Sequence, residues 1–297
     1  MGTEMKQFID LHLHSNCSDG VFSPAELVEM AHRVGLVAIA IADHDSVAGV
    51  TEAITTGITA GIEVIPAIEL SVQFASWNDV HLLGYGIDHT DCNFLERLVA
   101  FRERREKRNV EILDLVNKRL NAEKKEAIQL KDVLASARDS IGRPHIARVL
   151  QAKGYVNSTE EAFRRYLSPC NIPKFYWPID SAINEIRQLG GVAVLAHPVT
   201  ITDDRRELHG VIAQMQNMGL DGIEVFNNIS QPDEMEYLRR FAEERNLLIT
   251  GGSDFHCSED SLEMGKGRGG VRFENNLLPP LKKLITERQE NARVALL

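Results

Sequence analysis

The chain has 297 residues, and its 33 Lys and Arg against 43 Asp and Glu give a formal net charge of −10. This acidic balance argues against broad electrostatic binding to nucleic acid or to an anionic membrane surface. Hydrophobic residues make up 43% of the chain, which is enough to bury a core and too many for a disordered chain. The length suggests roughly two domains, or one large α/β domain with an insertion.

Membrane-spanning and secreted proteins are disfavoured by the apolar runs and by the cysteines. No stretch approaches the ~20 uninterrupted apolar residues that a membrane span needs. The N-terminus has no long apolar run and no small-residue cleavage site, so we expect no secretory signal. Cys17, Cys92, Cys170 and Cys257 form neither a disulfide framework nor a Cys-x-x-Cys pair. A reducing cytoplasm is the expected location.

Residues 1–92 alternate short apolar runs with helical patterns and are predicted to form the first part of a barrel. A helix starts at Ser23, which caps it, because Pro24 occupies the first helical position and Glu26 completes a capping box. That helix is predicted to reach about Gly35, and a second to run from about Ser46 to Ala60. The predicted strands of this part are Phe8–Leu13, Leu36–Ala42, Ile62–Leu70 and Val80–Tyr85.

Residues 93–178 are predicted to be a helical insertion that caps the substrate, because no strand-like run occurs there. Its predicted helices are Phe94–Leu120, Leu130–Arg138, Arg143–Lys153 and Thr159–Tyr166. The alternating pattern resumes over residues 179–297, the second part of the barrel. Helices are predicted over Asp180–Leu189, over Arg206–Met218 and from Pro232, and strands over Val192–Ala196, Ile223–Phe226 and Leu247–Thr250. Alternating β and α segments imply a mostly parallel sheet that can close into a barrel.

Histidine and carboxylate side chains recur at the ends of the predicted strands. In a parallel β/α barrel, the carboxyl ends of the strands share one rim, where active sites are built. Residues more than 240 positions apart would therefore converge on one pocket. The strand-end residues are His12, His14, His44, Glu69, His81, His197, Asp254 and His256.

Imidazoles and carboxylates without thiolates suit Zn, Mn or Fe rather than a structural Cys-type zinc site. Together with Asp19, the set exceeds the three or four protein ligands of one catalytic ion, so a cluster of two or three ions is the economical interpretation. Glu69 and Asp254 are the natural bridging carboxylates. The alternative, that each is an isolated polar residue at a strand end, requires independent placement on one rim.

The ordered motif set resembles the PHP (polymerase and histidinol phosphatase) family. The motifs are Asp10-Leu11-His12-Leu13-His14-Ser15 with Asp19-Gly20, Asp43-His44-Asp45, Glu69, His81, Ala196-His197-Pro198 and Gly252-Ser253-Asp254-Phe255-His256. The insertion resembles the branch that holds stand-alone bacterial nucleoside 3′,5′-bisphosphate phosphatases and 5′→3′ exoribonucleases. The resemblance implies a distorted seven-stranded β/α barrel and three divalent metal ions.

The resemblance also implies a ligand set for each ion. One ion would be held by His12, His14, Glu69 and Asp254, a second by Glu69, His81 and His197, and a third by Asp19, His44 and His256. The identity of the ions, Mn, Fe or Zn, stays open, because sites of this composition accept all three.

A compact basic group, Arg143, His145 and Arg148, lies at a predicted helix start within the insertion. Arginine gives bidentate phosphate contacts and a helix N-terminus adds backbone donors, so we expect this group to bind the substrate phosphate. The alternative is an ordinary basic helix surface. Lys174 is a further candidate, in a loop where close relatives often carry Gly-Lys-Pro. The Gly-rich stretch 265–270 is either a phosphate-binding nest or a connecting loop.

The expected reaction is hydrolysis of a nucleotide phosphoester by a metal-bridging hydroxide. For protonation of the leaving oxygen the candidates are His145 and then Asp45, and a third ion could replace both. Expected substrates are nucleoside 3′,5′-bisphosphates or short 5′-phosphorylated oligoribonucleotides, with no long nucleic acid and no membrane partner, and with the oligomeric state open. Two alternatives remain: an amidohydrolase-type C–N hydrolase on the same metals, and a non-catalytic, metal-stabilised accessory module.

Overall fold

The computed structural model describes residues 6–135, 142–257 and 263–295. It divides into two compact units, a barrel unit of residues 1–92 with 176–297 and an insertion unit of residues 93–175. The second boundary lies three residues before the one expected from the sequence, because Trp177 and Pro178 pair with a barrel strand. The predicted helix end at Arg138 lies outside the described residues.

The barrel unit contains seven strands of at least four residues and two strands of two residues, among the residues described. In chain order they are β1 (Phe8–Leu13), β2 (Leu36–Ile41), β3 (Glu63–Val64), β4 (Ala67–Phe74), β5 (Trp77–Tyr85), β6 (Trp177–Pro178), β7 (Val192–Leu195), β8 (Gly222–Phe226) and β9 (Leu248–Gly251). The interior strands are apolar along most of their length, as expected for strands that are covered on both faces.

Two sheets together make the barrel. One has the order β1-β2-β3 and the other the order β6-β4-β5-β7-β8-β9. Single parallel bridges, Leu13 with Phe255 and His44 with Glu69, join the sheets on both sides. The seven longer strands thus form a ring, which is the distorted β/α barrel predicted from the sequence.

Two strands differ from the sequence prediction, one in its length and one in its direction. The predicted strand Ile62–Leu70 is divided at Pro66, which has no N–H to donate to a ladder. Strand β5 runs antiparallel to β4 and β7. In an antiparallel strand the start, rather than the end, faces the carboxyl rim. His81, midway along β5 and opposite Ser71 of β4, therefore joins residues that follow the other strands.

Six helices cover the barrel unit: α1 (Pro24–Arg33), α2 (Val50–Ala60), α7 (Ile179–Gln188), α8 (Arg205–Asn217), α9 (Pro232–Arg245) and α10 (Leu278–Ala295). The predicted capping box of α1 is present, with Ser23 and Glu26 bonded reciprocally. Helix α2 starts after Gly49 rather than at Ser46. The sequence analysis did not predict α10, whose Leu281 and Ile285 pack in the barrel core.

The helices between the two parts of the barrel are α3 (Cys92–Ala122), α4 (Leu130–Leu134), α5 (Arg143–Ala152) and α6 (Thr159–Ala162), followed by a π-helical turn (Phe163–Leu167). They enclose a hydrophobic core of their own, in which Val116, Leu120, Leu150 and Tyr166 are fully buried. Burial of each such side chain stabilises the fold by about 1.5–3 kcal/mol. No helix among the described residues has the length and apolar character that crossing a membrane requires.

Candidate metal centre

All nine predicted metal ligands lie in the barrel unit, and their side chains approach one another at the carboxyl rim. His12, His14, Glu69 and His197 are buried, and the other five are half-buried. Half-burial leaves the cluster accessible from one side. The geometry therefore brings together residues from position 12 to position 256, as expected if strand ends share one rim.

Glu69 lies at the middle of the cluster, and both of its oxygens face imidazole nitrogens. Oε2 is 3.0 Å from His44 Nδ1, 3.2 Å from His14 Nε2 and 3.4 Å from His12 Nε2. Oε1 is 3.1 Å from His81 Nδ1 and 3.3 Å from His197 Nε2. One carboxylate cannot satisfy five imidazoles at once by hydrogen bonding, whereas cations between them can.

Two aspartates extend the cluster on either side of His14. Asp254 Oδ1 is 3.1 Å from His14 Nε2 and 3.5 Å from His12 Nε2. Asp19 is 3.2 Å from His256 Nε2 and 3.7 Å from His14 Nδ1. Both nitrogens of His14 therefore face carboxylates.

Three groups of possible ligand atoms, each within 4.8 Å of one another, emerge from this geometry. They are His14, Asp19, His44 and His256; His12, His14 and Asp254; and His44, Glu69 and His81. The grouping overlaps with the one that the family resemblance implies but shares His14 and His44 between groups. Neither grouping includes a thiolate, which agrees with the predicted hard or borderline cations.

The hydrogen bonds of three histidines fix which nitrogen carries the proton. His12 Nδ1 lies 2.9 Å from Glu224 Oε1, and His256 Nδ1 lies 2.8 Å from the carbonyl oxygen of Asp254, and both of these oxygens can only accept. His197 Nδ1 contacts Thr200 Oγ1, whose own hydrogen is donated to the His197 carbonyl. Nδ1 is therefore the donor in each ring, and the lone pair of Nε2 faces the cluster, as a metal ligand requires.

Several buried polar atoms of the cluster have no hydrogen-bond partner. They are Glu69 Oε2, His14 Nδ1 and His44 Nδ1. Buried polar atoms are almost always paired in proteins, because an unpaired one costs about 1–3 kcal/mol. Lone pairs that converge without hydrogen-bond partners are what a set of metal ligands presents, so the residues fit divalent cations.

The electrostatics of the metal-free cluster are strongly coupled. Burial would raise the pKa of Glu69, but the charges of His44, His81 and His12 outweigh it and hold that pKa well below its usual range. Burial would also lower the pKa of His14, but the neighbouring carboxylates of Asp254 and Glu69 raise that pKa to about 10. A cation would replace the protons that the imidazoles hold in its absence.

Close backbone approach at the rim requires glycine at two positions. A Cβ on Gly252 would lie 2.2 Å from His12 Cβ, and one on Gly20 would lie 2.2 Å from the His14 carbonyl oxygen. Asp254 and His197 themselves have positive φ angles of 55° and 26°. Strained backbone of this kind persists where the surroundings over-determine it, as they commonly do at functional sites.

Glu224 is the most informative residue that the sequence analysis missed. It lies in the middle of β8, fully buried, and its Oε1 holds His12 while its Oε2 accepts the backbone N–H of His197 at 2.9 Å. It thereby orients one ligand and the strand end that carries another. A single carboxylate inside an apolar barrel strand is the signal that could have revealed it, because unpaired acids are almost never fully buried.

Three buried aspartates near the ligands make hydrogen bonds to the backbone rather than joining the cluster. Asp45, a predicted proton donor, accepts the N–H and the hydroxyl of Ser71, both at 2.9 Å. Burial raises the pKa of Asp10 to about 6 and also raises the pKa of Asp43. The sequence analysis included Asp10 and Asp43 in motifs without giving them a function.

The predicted phosphate-binding residues all belong to the insertion unit. The guanidinium of Arg143 bonds to Asn171 at 3.0 Å and lies 5.7 Å from the centre of the Phe163 ring, while Arg148 is exposed. His145 is buried, and its Nδ1 accepts the N–H of Gly142 at 3.0 Å, so it caps helix α5. Lys174, in the loop before the barrel resumes, is half-buried.

An aromatic and basic surface lies on the same unit and was not predicted. Phe175 is 46% exposed, packs against Phe101 with a ring separation of 5.5 Å, and has the Arg104 guanidinium 4.6 Å above its ring. By contrast, the Gly-rich stretch 265–270 is a connecting loop whose backbone is hydrogen-bonded to the rest of the protein. The N–H groups of Gly265, Gly267 and Arg268, and of two further residues, donate to protein oxygens, which argues against a phosphate nest there.

Comparison with known proteins places the chain in a family. The family model of the PHP domain matches residues 10–176, more than half of the chain. Its sequence is 35% identical over 265 residues to the 5′-3′ exoribonuclease of Haemophilus influenzae, covering 88% of this chain and 94% of that protein. The chain belongs to the PHP family.

Two further PHP comparisons cover nearly the whole chain. The 3′,5′-nucleoside bisphosphate phosphatase of Chromobacterium violaceum is 30% identical over 295 residues, which is 96% of this chain and 97% of that protein. A crystal structure from Bifidobacterium adolescentis, assigned as a metal-dependent phosphoesterase, superposes with a TM-score of 0.79 and 29% identity over 94% of this chain and 96% of that one. These findings confirm the predicted family, the fold class and the enzyme class, a hydrolase of phosphoester bonds.

Proposed function

We propose that the protein hydrolyses phosphate esters of small nucleotides, with nucleoside 3′,5′-bisphosphates or short 5′-phosphorylated oligoribonucleotides as its substrates. The carrying observation is Glu69, whose two oxygens face five imidazole nitrogens at 3.0–3.4 Å within a half-open, mostly buried cluster. The activities named for the two curated relatives support this substrate class.

We propose three divalent cations, Mn, Fe or Zn, held by the nine clustered residues. The three ligand groups, with His14 and His44 each in two of them, support that number. When bound, such ions would activate a water molecule near neutral pH and neutralise the charge on phosphate oxygens. Glu69, whose two oxygens face imidazoles from all three groups, would keep neighbouring cations close together.

The remaining steps fall to the chain's own residues. Glu224 holds His12 and the backbone of His197 in place, so the ligand lone pairs stay aligned through the reaction. Full burial of Glu69, His12 and His14 excludes bulk water from the floor of the cluster. In this less polar surrounding, fixed charges act more strongly on a phosphate than they would in water.

The geometry favours neither predicted proton donor. His145 Nδ1 accepts a backbone N–H, which leaves a neutral ring whose remaining N–H is a very weak acid. Both oxygens of Asp45 already accept hydrogen bonds from Ser71, one from its N–H and one from its hydroxyl. We therefore propose that His145 positions α5 and that Asp45 positions β4. Other groups would protonate or stabilise the leaving oxygen.

We propose that Arg143 and Arg148 bind the substrate's phosphate, with Lys174 as an additional cation. Arg143 is pre-oriented, since Asn171 and Phe163 hold its guanidinium, and an oriented guanidinium loses little entropy when it binds phosphate. Its position at the first turn of α5 adds backbone donors.

A small substrate also accords with the charge of the chain. A net charge of −10 disfavours broad electrostatic binding of a long nucleic acid. We propose the exposed ring of Phe175, with Arg104 over it, as a stacking surface for a nucleobase. The cytoplasm remains our proposed location, because the four cysteines are scattered and the structure described here joins none of them in a disulfide.

The decisive experiment combines metal analysis with an assay of phosphate release. The protein purified with Mn²⁺ should contain bound metal and release phosphate from a nucleoside 3′,5′-bisphosphate or nucleotides from a 5′-phosphorylated oligoribonucleotide. Asp254→Ala should abolish this activity, whereas Asp233→Ala, at a side chain that is 74% exposed on α9, should retain it. A fully metal-loaded protein that cleaves no phosphoester would overturn the proposal in favour of a C–N hydrolase or an accessory module.

A further inference from the structure

The rim of the barrel carries a repeated hydrogen-bonding arrangement, of which the pair formed by Asp45 and Ser71 is one example. In each case the two oxygens of one buried aspartate accept the backbone N–H and the hydroxyl of one buried serine. We name this arrangement an Asp–Ser clamp. The three clamps are Asp10 with Ser253 (2.8 and 2.6 Å), Asp43 with Ser15 (2.7 and 2.6 Å) and Asp45 with Ser71 (2.9 and 2.9 Å).

The clamps connect successive barrel elements in ring order. The Asp10 clamp joins β1 to the segment after β9, the Asp43 clamp joins the segments after β1 and β2, and the Asp45 clamp joins the segment after β2 to β4. Two of these are the places where the sheets are connected only by the single bridges of Leu13 and His44. The clamps therefore hold the ring together where regular strand pairing is weakest.

Every clamp also lies next to predicted metal ligands. Ser253 precedes Asp254, Ser15 follows His14, and Ser71 is two residues after Glu69. On the aspartate side, Asp43 and Asp45 flank His44 and Asp10 is two residues before His12. The three clamps thus hold the backbone beside five of the nine ligands.

Burying the three aspartates of the clamps costs free energy of folding, which suggests that the clamps have a function. A buried carboxylate loses its hydration, and paired apolar residues would fill the same space at no such cost. The six clamp residues are at most 7% exposed. Asp45 and Asp254 also have positive φ angles, of 51° and 55°, which a bidentate clamp on the residue itself or on its neighbour can maintain.

We propose that the three Asp–Ser clamps are positioning residues that preorganise the metal centre, by fixing the strand-end backbone before any cation binds. The inference deepens the proposed function, because it rests on divalent cations at this rim. It requires no catalytic contact by the clamps. The clamps fix the distances between ligands that belong to different strands. These distances determine the affinity of the site for cations.

The test uses serine-to-alanine variants, one per clamp, in the full-length protein: Ser253→Ala, Ser15→Ala and Ser71→Ala. The matched control is Ser230→Ala, since Ser230 is a fully buried serine of the barrel unit whose hydroxyl has no hydrogen-bond partner among the described residues. Two quantities are measured: the Mn²⁺ dissociation constant by calorimetry, and the rise in Tm when Mn²⁺ is added to the metal-free protein.

We expect each clamp variant to bind Mn²⁺ about 10–100-fold more weakly than the wild type, with a smaller metal-induced rise in Tm and a lower kcat at unchanged KM. The control should keep the wild-type values. Ser→Thr at the same positions, which retains both donors, should restore metal affinity. If a variant folds poorly, the Asp→Asn variant of the same clamp, which keeps one acceptor, gives the second measurement.

Wild-type metal affinity in all three clamp variants, together with a lower Tm of the metal-free protein, would overturn the proposal and leave the clamps a purely structural function. This outcome is distinct from failure of the proposed function. A wild-type protein that binds Mn²⁺ but cleaves no phosphoester would refute the activity while the clamp variants still report on the centre.

Discussion

The barrel unit and the insertion unit present their charged groups in opposite ways. In the barrel, imidazoles and carboxylates from distant positions lie 3.0–3.7 Å apart and are mostly buried. In the insertion, Arg143 and Arg104 rest against neutral partners, Asn171 and Phe175, on half-buried or exposed surface. The difference accords with our proposals that the barrel holds small cations at fixed distances and that the insertion offers cationic side chains to the substrate's phosphate.

The sharpest test of this contrast is Glu69→Gln, which removes the central charge but hardly changes the shape. We expect kcat/KM to fall by ~10³-fold or more, because several kcal/mol of charge stabilisation are lost and each 1.4 kcal/mol is tenfold. Steady-state phosphate release measures the loss. Glu63→Gln, at a surface glutamate that pairs with Lys282, is the matched control and should be neutral. A loss of less than tenfold would mean that Glu69 is not central to the chemistry.

The barrel's affinity for metal should depend steeply on pH. Burial opposes protonation of His12, His14 and His197, but the neighbouring carboxylates raise all three pKa values, that of His14 to about 10. His12 and His14 are therefore protonated at neutral pH in the metal-free protein and must lose protons to become ligands. For each proton released, we expect Mn²⁺ to bind ~10-fold more tightly per pH unit between pH 6 and 8.

The same pKa values determine how the metal-free fold responds to pH. Raised histidine pKa values stabilise the fold fully below the unfolded value of about 6.5, and this stabilisation is lost as pH rises towards the folded values. The Tm of the metal-free protein should therefore fall between pH 7 and 10. Calorimetric Mn²⁺ titration in two buffers of different ionisation enthalpy measures the proton release, and an affinity independent of pH would contradict the prediction.

Glu224→Gln tests whether the support beneath the ligands matters as much as the ligands. The amide can keep one of the two bonds, to His12 or to the His197 backbone, but it removes the charge that holds both. We expect metal affinity and kcat to fall by about 10–100-fold, the usual effect of losing a partner that orients a ligand. Glu185→Gln, at a buried glutamate of α7 outside the cluster, controls for the loss of a buried acid. Unchanged metal affinity would show that His12 is oriented without Glu224.

That the nine candidate ligands lie close together could be predicted from sequence, because the strand ends of a barrel share a rim. His12 on β1 and His14 directly after β1 are two residues apart, and both face the cluster. Glu224 was missed because its function depends on a partner 212 residues away in sequence, which a local pattern does not reveal. The reversed direction of β5 was missed for the same reason, since only pairing with β4 and β7 determines it.

The insertion was predicted as helical because no strand-like run occurs in it, but its substrate residues could not be ranked. A helix presents residues in every direction, so the sequence does not tell a guanidinium held by Asn171 from an exposed one such as Arg148. The π-helical turn at Phe163–Leu167 and helix α10 were likewise not foreseen. In these places tertiary packing determined the local structure.

Arg143→Ala should weaken substrate binding while the metal centre stays intact. Charge-assisted bonds to phosphate contribute about 1.5–3 kcal/mol, so we expect KM to rise by roughly tenfold or more, with metal content unchanged. Arg143→Lys should recover only part of the loss, because a lysine cannot make the bidentate contact. Arg148→Ala, at an exposed and less oriented residue, should have the smaller effect. Equal KM values for Arg143→Ala and the wild type would show that Arg143 does not bind the substrate's phosphate.

The smallest expected effect concerns the nucleobase. Stacking on an aromatic ring contributes about 1–3 kcal/mol when fully formed, and Phe175 is already partly covered by Arg104, so we expect Phe175→Ala to raise KM only about fivefold. Phe175→Tyr keeps the ring and should keep the KM.

The informative comparison is between a nucleoside 3′,5′-bisphosphate and a ribose 3,5-bisphosphate without a base. Phe175→Ala should raise KM for the first substrate and leave the second unchanged, because only the first has a ring to stack. An equal rise for both would show that Phe175 merely supports the fold of the insertion, whereas no rise for either would exclude this surface from substrate binding.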